Sequence, residues 1–269
     1  MAARKAREKA KPPVVMIHGA FCGPWTLDGF KQKFEAAGYK VSAPALRFHD
    51  GGKPPEALAT TSLADFVSDL EGEIAALKAP PILLAHSMGG LLAQMIAARR
   101  DVAALILLAP SAPWGVPPST LFEIGTAQAM LLNVGFWNTV LKPDREVAIA
   151  HSLEQLPPDL HDAVLDRLVP ESGRATFEIL HWGLDMGRAS EVDVSKVDCP
   201  LLFLSGSEDR INPPTTVART AALYKDRATH EIASGMGHWL IGEPGWQKLA
   251  ARALEWLETI ETPSRPRRD

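Results

Sequence analysis

One short stretch, Ala85-His86-Ser87-Met88-Gly89-Gly90, constrains this chain more than any other, because it sits between two apolar runs of different character. Pro81 to Leu84 before it reads as a buried strand, and Leu91 to Ala98 after it reads as a buried helix. A strand that turns into a helix within so few residues needs a strained backbone at the apex, and the apical side chain then projects from the sheet edge. The residues two before and two after the apex must be small, and they are Ala85 and Gly89. Serine at such an apex is placed as a nucleophile. A glycine-rich helix entry without chemistry is the competing reading, and the rest of the chain decides between them.

Serine is a weak nucleophile at neutral pH. It needs a base, an acid that orients the base, and donors for the oxyanion. The apolar run Pro200 to Leu204 is followed by Ser205-Gly206-Ser207-Glu208-Asp209-Arg210, which puts Asp209 in the loop beyond a strand. The strand-like Thr229 to Ala233 is followed by Ser234-Gly235-Met236-Gly237-His238-Trp239, a glycine-flanked histidine in a second such loop. The chain order is thus Ser87, Asp209, His238. At the front, Val14 to His18 reads as a buried strand that ends in Gly19-Ala20. The backbone amides of Ala20 and Met88 are the candidate oxyanion donors.

On these residues the chain resembles the α/β-hydrolase superfamily, from Pro13 to about Ile260. His18-Gly19-Ala20-Phe21-Cys22-Gly23-Pro24-Trp25 and Gly237-His238-Trp239 resemble its small esterase and lyase branch. The resemblance implies an α/β fold, a mostly parallel central sheet with helices on both faces and an inserted helical cap. It implies Ser87 as nucleophile, Asp209 as acid, His238 as base, and Ala20 and Met88 as oxyanion donors. Ala85 departs from the glycine usual at its position. Serine at 87 separates the chain from the dehalogenase and epoxide-hydrolase branches, which carry aspartate there. Gly19 and Trp239 stand where hydroxynitrile lyases typically carry Thr and Lys.

The implied activity is hydrolysis of carboxylic esters of short to medium acyl chain through an acyl-enzyme on Ser87. The same machinery serves lactone, amide and carbon-carbon hydrolysis and perhydrolysis, and a hydrolase-like ligand receptor is the alternative from another class. Protonation of the base predicts activity falling in acid near about pH 6 to 7.

A chain of 269 residues fits one α/β core with an insertion. The boundaries read from the sequence are a basic arm at 1–12, a core at 13–111 and 191–261, a cap at 112–190 and a polar tail at 262–269. Within the core, helices are expected at 24–37, 88–99, 214–224 and 245–260, and strands at 40–45 and 104–109. Ser62 with Asp65 reads as a capping box, and Leu63, Phe66, Val67, Leu70, Ile74 and Leu77 form one apolar stripe behind it. The cap reads as four helices, at 120–140, 144–155, 158–169 and 171–186, with no strand signal.

A net charge of −4, spread through the body, gives no footprint for nucleic acid or a membrane surface, so a small-molecule ester is the expected partner. No cofactor is implied. Two cysteines, Cys22 and Cys199, read as free thiols and point to a reducing, cytoplasmic compartment. Glu8 argues against a transit peptide in the basic arm.

Other residues compete for roles. His86 adjoins the serine and points elsewhere, while His18 is placed to prop the oxyanion loop. His49, His151, His161, His181 and His230 lack an acid on a matching loop. Asp193 and Asp198 precede their strand, and Asp185 is the remaining rival to Asp209. Phe21, Trp114, Met130, Trp137, Trp182 and Trp239 are candidates for an apolar pocket beneath the cap, against the alternative that they pack cap helices.

Overall fold

Strands that are apolar at every position, rather than at alternate ones, require a sheet covered on both faces. A computed structural model describes residues 11–260 of the chain; the arm before Lys11 and the tail at 262–269 lie outside the described residues. β1 (Val14–Ile17) is buried along its whole length. A 3₁₀ turn at Pro24–Leu27 leads into α1 (Asp28–Ala36), so the single helix expected at 24–37 is divided. Gly38, at φ 85°, ends it. β2 (Val41–Ser42) is a short edge strand. α2 (Leu63–Ala75) opens on the expected capping box: the Asp65 amide donates to Ser62 Oγ at 3.1 Å and the Ser62 amide to Asp65 at 2.9 Å. β3 (Ile82–His86), α3 (Met88–Ala97) and β4 (Ala104–Leu108) are buried at every residue.

The segment between β4 and the next core strand carries α4 (Leu121–Leu131), β5 (Val140–Leu141), α5 (Arg145–His151), α6 (His161–Leu165), β6 (Glu171–Ser172) and α7 (Gly173–Leu180). β5 and β6 pair antiparallel, Val140 with Ser172 and Leu141 with Glu171. Neither is visible in the residue pattern, since strands of two residues are too short to show a period. The helices are also shorter than expected: Gly135, at φ 86°, interrupts the first, and a 3₁₀ turn at Pro158–Leu160 takes up the start of the third.

The core resumes with β7 (Leu201–Gly206), α8 (Pro214–Ala222), β8 (Ala228–Ala233) and α9 (Trp246–Thr259). The six-stranded sheet has the order β2-β1-β3-β4-β7-β8, with every neighbouring pair parallel. Successive strand residues face opposite sides. Val15, Ile17, Leu83, Leu105 and Phe203 pack with Phe66, Leu70, Leu91 and Tyr224 on one face. Val14, Met16, Leu84, Ile106 and Leu202 pack with Phe30, Phe34, Leu249 and Trp256 on the other. Each such side chain contributes about 1.5–3 kcal/mol on burial. Because all strands run the same way, the loops after β1, β3, β7 and β8 gather at one edge, where an open α/β sheet binds its ligand.

Candidate active site

Ser87 follows β3 and precedes α3 with φ 52° and ψ −121°, a conformation that a non-glycine residue holds only at a cost of about 1–3 kcal/mol. The surroundings enforce it. Its amide donates to Leu108 C=O at 3.0 Å, and its carbonyl accepts from the amides of Gly90 at 2.8 Å and Ser111 at 3.0 Å. The requirement for a small residue at 89 is steric: a Cβ there would lie 2.5 Å from the carbonyl oxygens of Ile17 and His18.

Asp209, in the loop after β7, and His238, in the loop after β8, meet Ser87 at this edge. His238 Nε2 lies 3.0 Å from Ser87 Oγ, and His238 Nδ1 lies 2.9 Å from Asp209 Oδ2. The carboxylate only accepts, so Nδ1 carries the proton and Nε2 is left to accept from the serine hydroxyl. Asp209 is itself fixed, because its Oδ1 accepts the amides of Ile211 and Asn212, both at 2.9 Å. Asn212 in turn donates through Nδ2 to Ala109 C=O at 2.8 Å, tying the acid loop to the end of β4. The acid and base loops lie so close that a Cβ on Gly206 would sit 2.2 Å from Gly237 C=O.

The base loop has two braces. His86 donates from Nε2 to His238 C=O at 2.9 Å, and burial, reinforced by His238, brings its own pKa down to about 3, so it is neutral. Glu243 accepts the amides of both residues flanking the base, Gly237 at 2.7 Å and Trp239 at 2.9 Å. Burial pushes the Glu243 carboxyl up to about 7. Neither Glu243 nor Asn212 emerged from the sequence. The position of Glu243 shortly after the base, before a Pro-Gly turn, was the only local signal of a loop anchor.

Burial alone would lower the pKa of His238, but the Asp209 carboxylate against it, with Glu154 and Glu243 nearby, holds it above the ordinary 6.5. A base must be neutral to take a proton, so with His238 as the base activity is expected to fall as pH drops through the raised value. The acid limb of kcat/KM on an ester is therefore expected with its midpoint above 6.5, the upper part of the range read from the sequence or higher. A profile still flat at pH values well below 6.5 would exclude His238 as the base.

Gly19 approaches Ser87: a Cβ on it would lie 3.0 Å from Ser87 Cβ, so the backbone leading into Ala20 runs close to the serine. His18 Nδ1 donates to Gly19 C=O at 2.9 Å, while its Nε2 accepts the Leu46 amide at 3.0 Å. Burial brings its pKa down to about 3, so it is a neutral prop. The C=O and N–H of a trans peptide point opposite ways, so fixing the Gly19 carbonyl also fixes the direction of the Ala20 amide. Met88 N–H is the first amide of α3 and has no intrahelical acceptor; the helix dipole favours negative charge there.

The other histidine and aspartate candidates are engaged away from Ser87, while of the aromatic candidates Phe21 and Trp239 adjoin the site loops. His161 contacts the carbonyls of Leu153 and Leu156, His181 that of Ala127, His230 the hydroxyl of Ser205, and His151 the Phe122 ring. Asp193 caps a short 3₁₀ turn, Asp198 lies 3.5 Å from Arg227, and Asp185 accepts amides within the cap segment. Trp114 meets Trp182 edge-on at 5.5 Å, with the Arg188 guanidinium over Trp114. Trp137 packs on Phe136 and Phe177, Met130 is half-buried on α4, and Phe21 is half-buried beside Ala20. Trp239 is buried against Trp25 and edge-on to His86. Among the described residues no group of His, Cys, Asp and Glu could hold a metal ion, and no helix is long and apolar enough to cross a membrane.

Comparison with known proteins agrees with this architecture. The sequence profile of the alpha/beta hydrolase family matches residues 14–252. A pimeloyl-[acyl-carrier protein] methyl ester esterase of Neisseria meningitidis serogroup B is 27% identical over 219 residues, covering 78% of this chain and 80% of its own. An esterase from Thermogutta terrifontis superposes with a TM-score of 0.68 at 20% identity, over 94% of this chain and 92% of that one. An Arabidopsis methylesterase does so at 0.69 with 15% identity, over 93% and 100%.

Proposed function

Because the chain belongs to the alpha/beta hydrolase family, we propose that it hydrolyses carboxylic esters of short to medium acyl chain through an acyl-enzyme on Ser87. Ser87 Oγ attacks the ester carbonyl while His238 Nε2 takes its proton, and Asp209 holds the imidazole in the tautomer that can do so. The tetrahedral oxyanion accepts hydrogen bonds from the amides of Ala20 and Met88, each worth about 10² to 10³ in rate. Collapse expels the alcohol, which receives the proton from His238. Water then attacks the acyl-enzyme with His238 again as base, and the carboxylic acid leaves.

The observation that carries this reading is the continuous relay from Asp209 through His238 to a serine held at positive φ, with contacts of 2.9 and 3.0 Å. The similar proteins named as esterases support esters over amides. Contacts from the segment 112–190 to the site loops, Glu171 to the Phe21 amide and Glu154 near Gly237, support reading it as a cap over a pocket of limited reach. The buried free thiols of Cys22 and Cys199, whose pKa values burial raises, support a reducing compartment and a cytoplasmic location. A panel of p-nitrophenyl esters from acetate through octanoate to palmitate tests the assignment. Repeated turnover with kcat/KM highest at or below octanoate is expected. A rise toward palmitate would overturn the acyl range, and a single acylation without release would point instead to a ligand receptor.

A further inference from the structure

Glu171 is a carboxylate with no exposed surface, and it lies on the last strand of the cap segment, far from Ser87 in sequence. Its Oε2 accepts the amide of Phe21 at 3.2 Å and faces His49 Nε2 at 3.0 Å, while its Oε1 accepts the Ser172 amide at 2.6 Å. Phe21 is the residue after the candidate oxyanion donor Ala20, and its φ is 59°, a conformation that phenylalanine does not hold unaided. Its carbonyl is also held, by the Val169 amide at 2.9 Å. Both backbone groups of Phe21 are thus bound by the segment 169–171.

His49 shows its charge state by its partners. Its Nδ1 lies 2.8 Å from Arg47 C=O and its Nε2 faces the Glu171 carboxylate, so both ring nitrogens meet groups that only accept. With Glu171 ionised the ring carries two protons and a positive charge: burial opposes this, but the Glu171 carboxylate against it holds the His49 pKa above the ordinary value. A buried ion pair costs desolvation and is weak evidence for stability, so its place beside the oxyanion loop asks for another account. An unbalanced carboxylate there would oppose the negative charge that the loop is built to stabilise, and the imidazolium cancels it.

We propose that Glu171, with its charge balanced by His49, is a positioning residue for the oxyanion hole: it clamps Phe21 from the cap so that the Ala20 amide stays aimed at the acyl oxygen. The proposal rests on the ester-hydrolase reading above. It predicts that anything lifting β6 away from the loop opens the hole as well, coupling cap placement to turnover.

Glu171→Gln in the full chain tests it. The amide has one accepting atom where the carboxylate has two, so it cannot satisfy Phe21, Ser172 and His49 together. On the best ester of the panel kcat should fall about 10²-fold with KM little changed, the cost of a misplaced hole donor. Affinity for a trifluoromethyl ketone matched to that ester should fall by the same factor, while affinity for the isosteric methyl ketone should hold. His49→Gln, which keeps a donor to Glu171 and removes the charge, should shift the same readouts in the same direction by a smaller factor, and it stands in if Glu171→Gln does not fold. Both ketones weakening equally, neither variant folding, or kcat and trifluoromethyl ketone affinity staying near wild type would each overturn the clamp. Absence of ester turnover in the wild type would instead deny the reading on which the clamp rests.

Discussion

Ser87→Ala is expected to lower kcat on any ester the wild type turns over by a factor on the order of 10⁶, leaving only what the oxyanion hole and substrate binding supply to water. No neighbouring group can substitute. His86 is turned away toward His238 C=O, and the nucleophile position is fixed by backbone bonds to Leu108, Gly90 and Ser111 that do not depend on the hydroxyl. Alanine suffers the same positive φ as serine, so the strain at 87 stays and only the bond to His238 Nε2 is lost, about 0.5–1.5 kcal/mol. The melting temperature should therefore move by no more than about 4 °C, which separates a catalytic loss from an unfolded one. A folded alanine variant that turned over p-nitrophenyl acetate at the wild-type rate would end the assignment of Ser87.

Asp209→Asn should cost about 10⁴ in kcat, and the surroundings of this aspartate say why the nearly isosteric amide fails. The amides of Ile211 and Asn212 both donate to Oδ1, so the single oxygen of an asparagine is forced into that place. Its NH₂ group is then turned toward His238 Nδ1. A donor there selects the tautomer protonated on Nε2, which has no lone pair for the serine proton. Steady-state kinetics on the same ester measures the loss, and an Asp209→Asn enzyme within tenfold of wild type would show that another acid holds the base. Asp193→Asn, at the end of the core remote from the site loops, should leave kcat unchanged.

Much of this was legible in the residues. Strands such as Ile82–His86 and Ala104–Leu108 announce a sheet covered on both sides because no position in them is polar save the last of the first. The elbow was readable because its geometry tolerates so few side chains at 85 and 89, and α2 because Ser62 and Asp65 satisfy each other locally. What escaped was of two kinds. β5 and β6 are two residues each, below any period. The supports of the site act across the fold: Glu171 reaches Phe21 over 150 residues of chain, and Asn212 reaches Ala109 over 103. Such contacts depend on how layers pack, which leaves no pattern in the residues at either end. Glu243, close to His238 in sequence, was missed for a different reason: a carboxylate near a turn reads as solvated surface until the loop is seen to fold back over it.

The order of the sheet bears on how such a protein comes into being. The hydroxyl, the carboxylate and the imidazole enter the polymer at positions 87, 209 and 238, and among the described residues β8, which leads into the imidazole's loop, pairs only with β7, itself laid down after the whole segment 112–190. A chain made only as far as 190 holds the serine on a sheet that still lacks β7 and β8. With the proposed relay, hydrolysis is expected only once β8 and the loop after it have docked on β7, so a chain truncated before β8 should show no ester turnover.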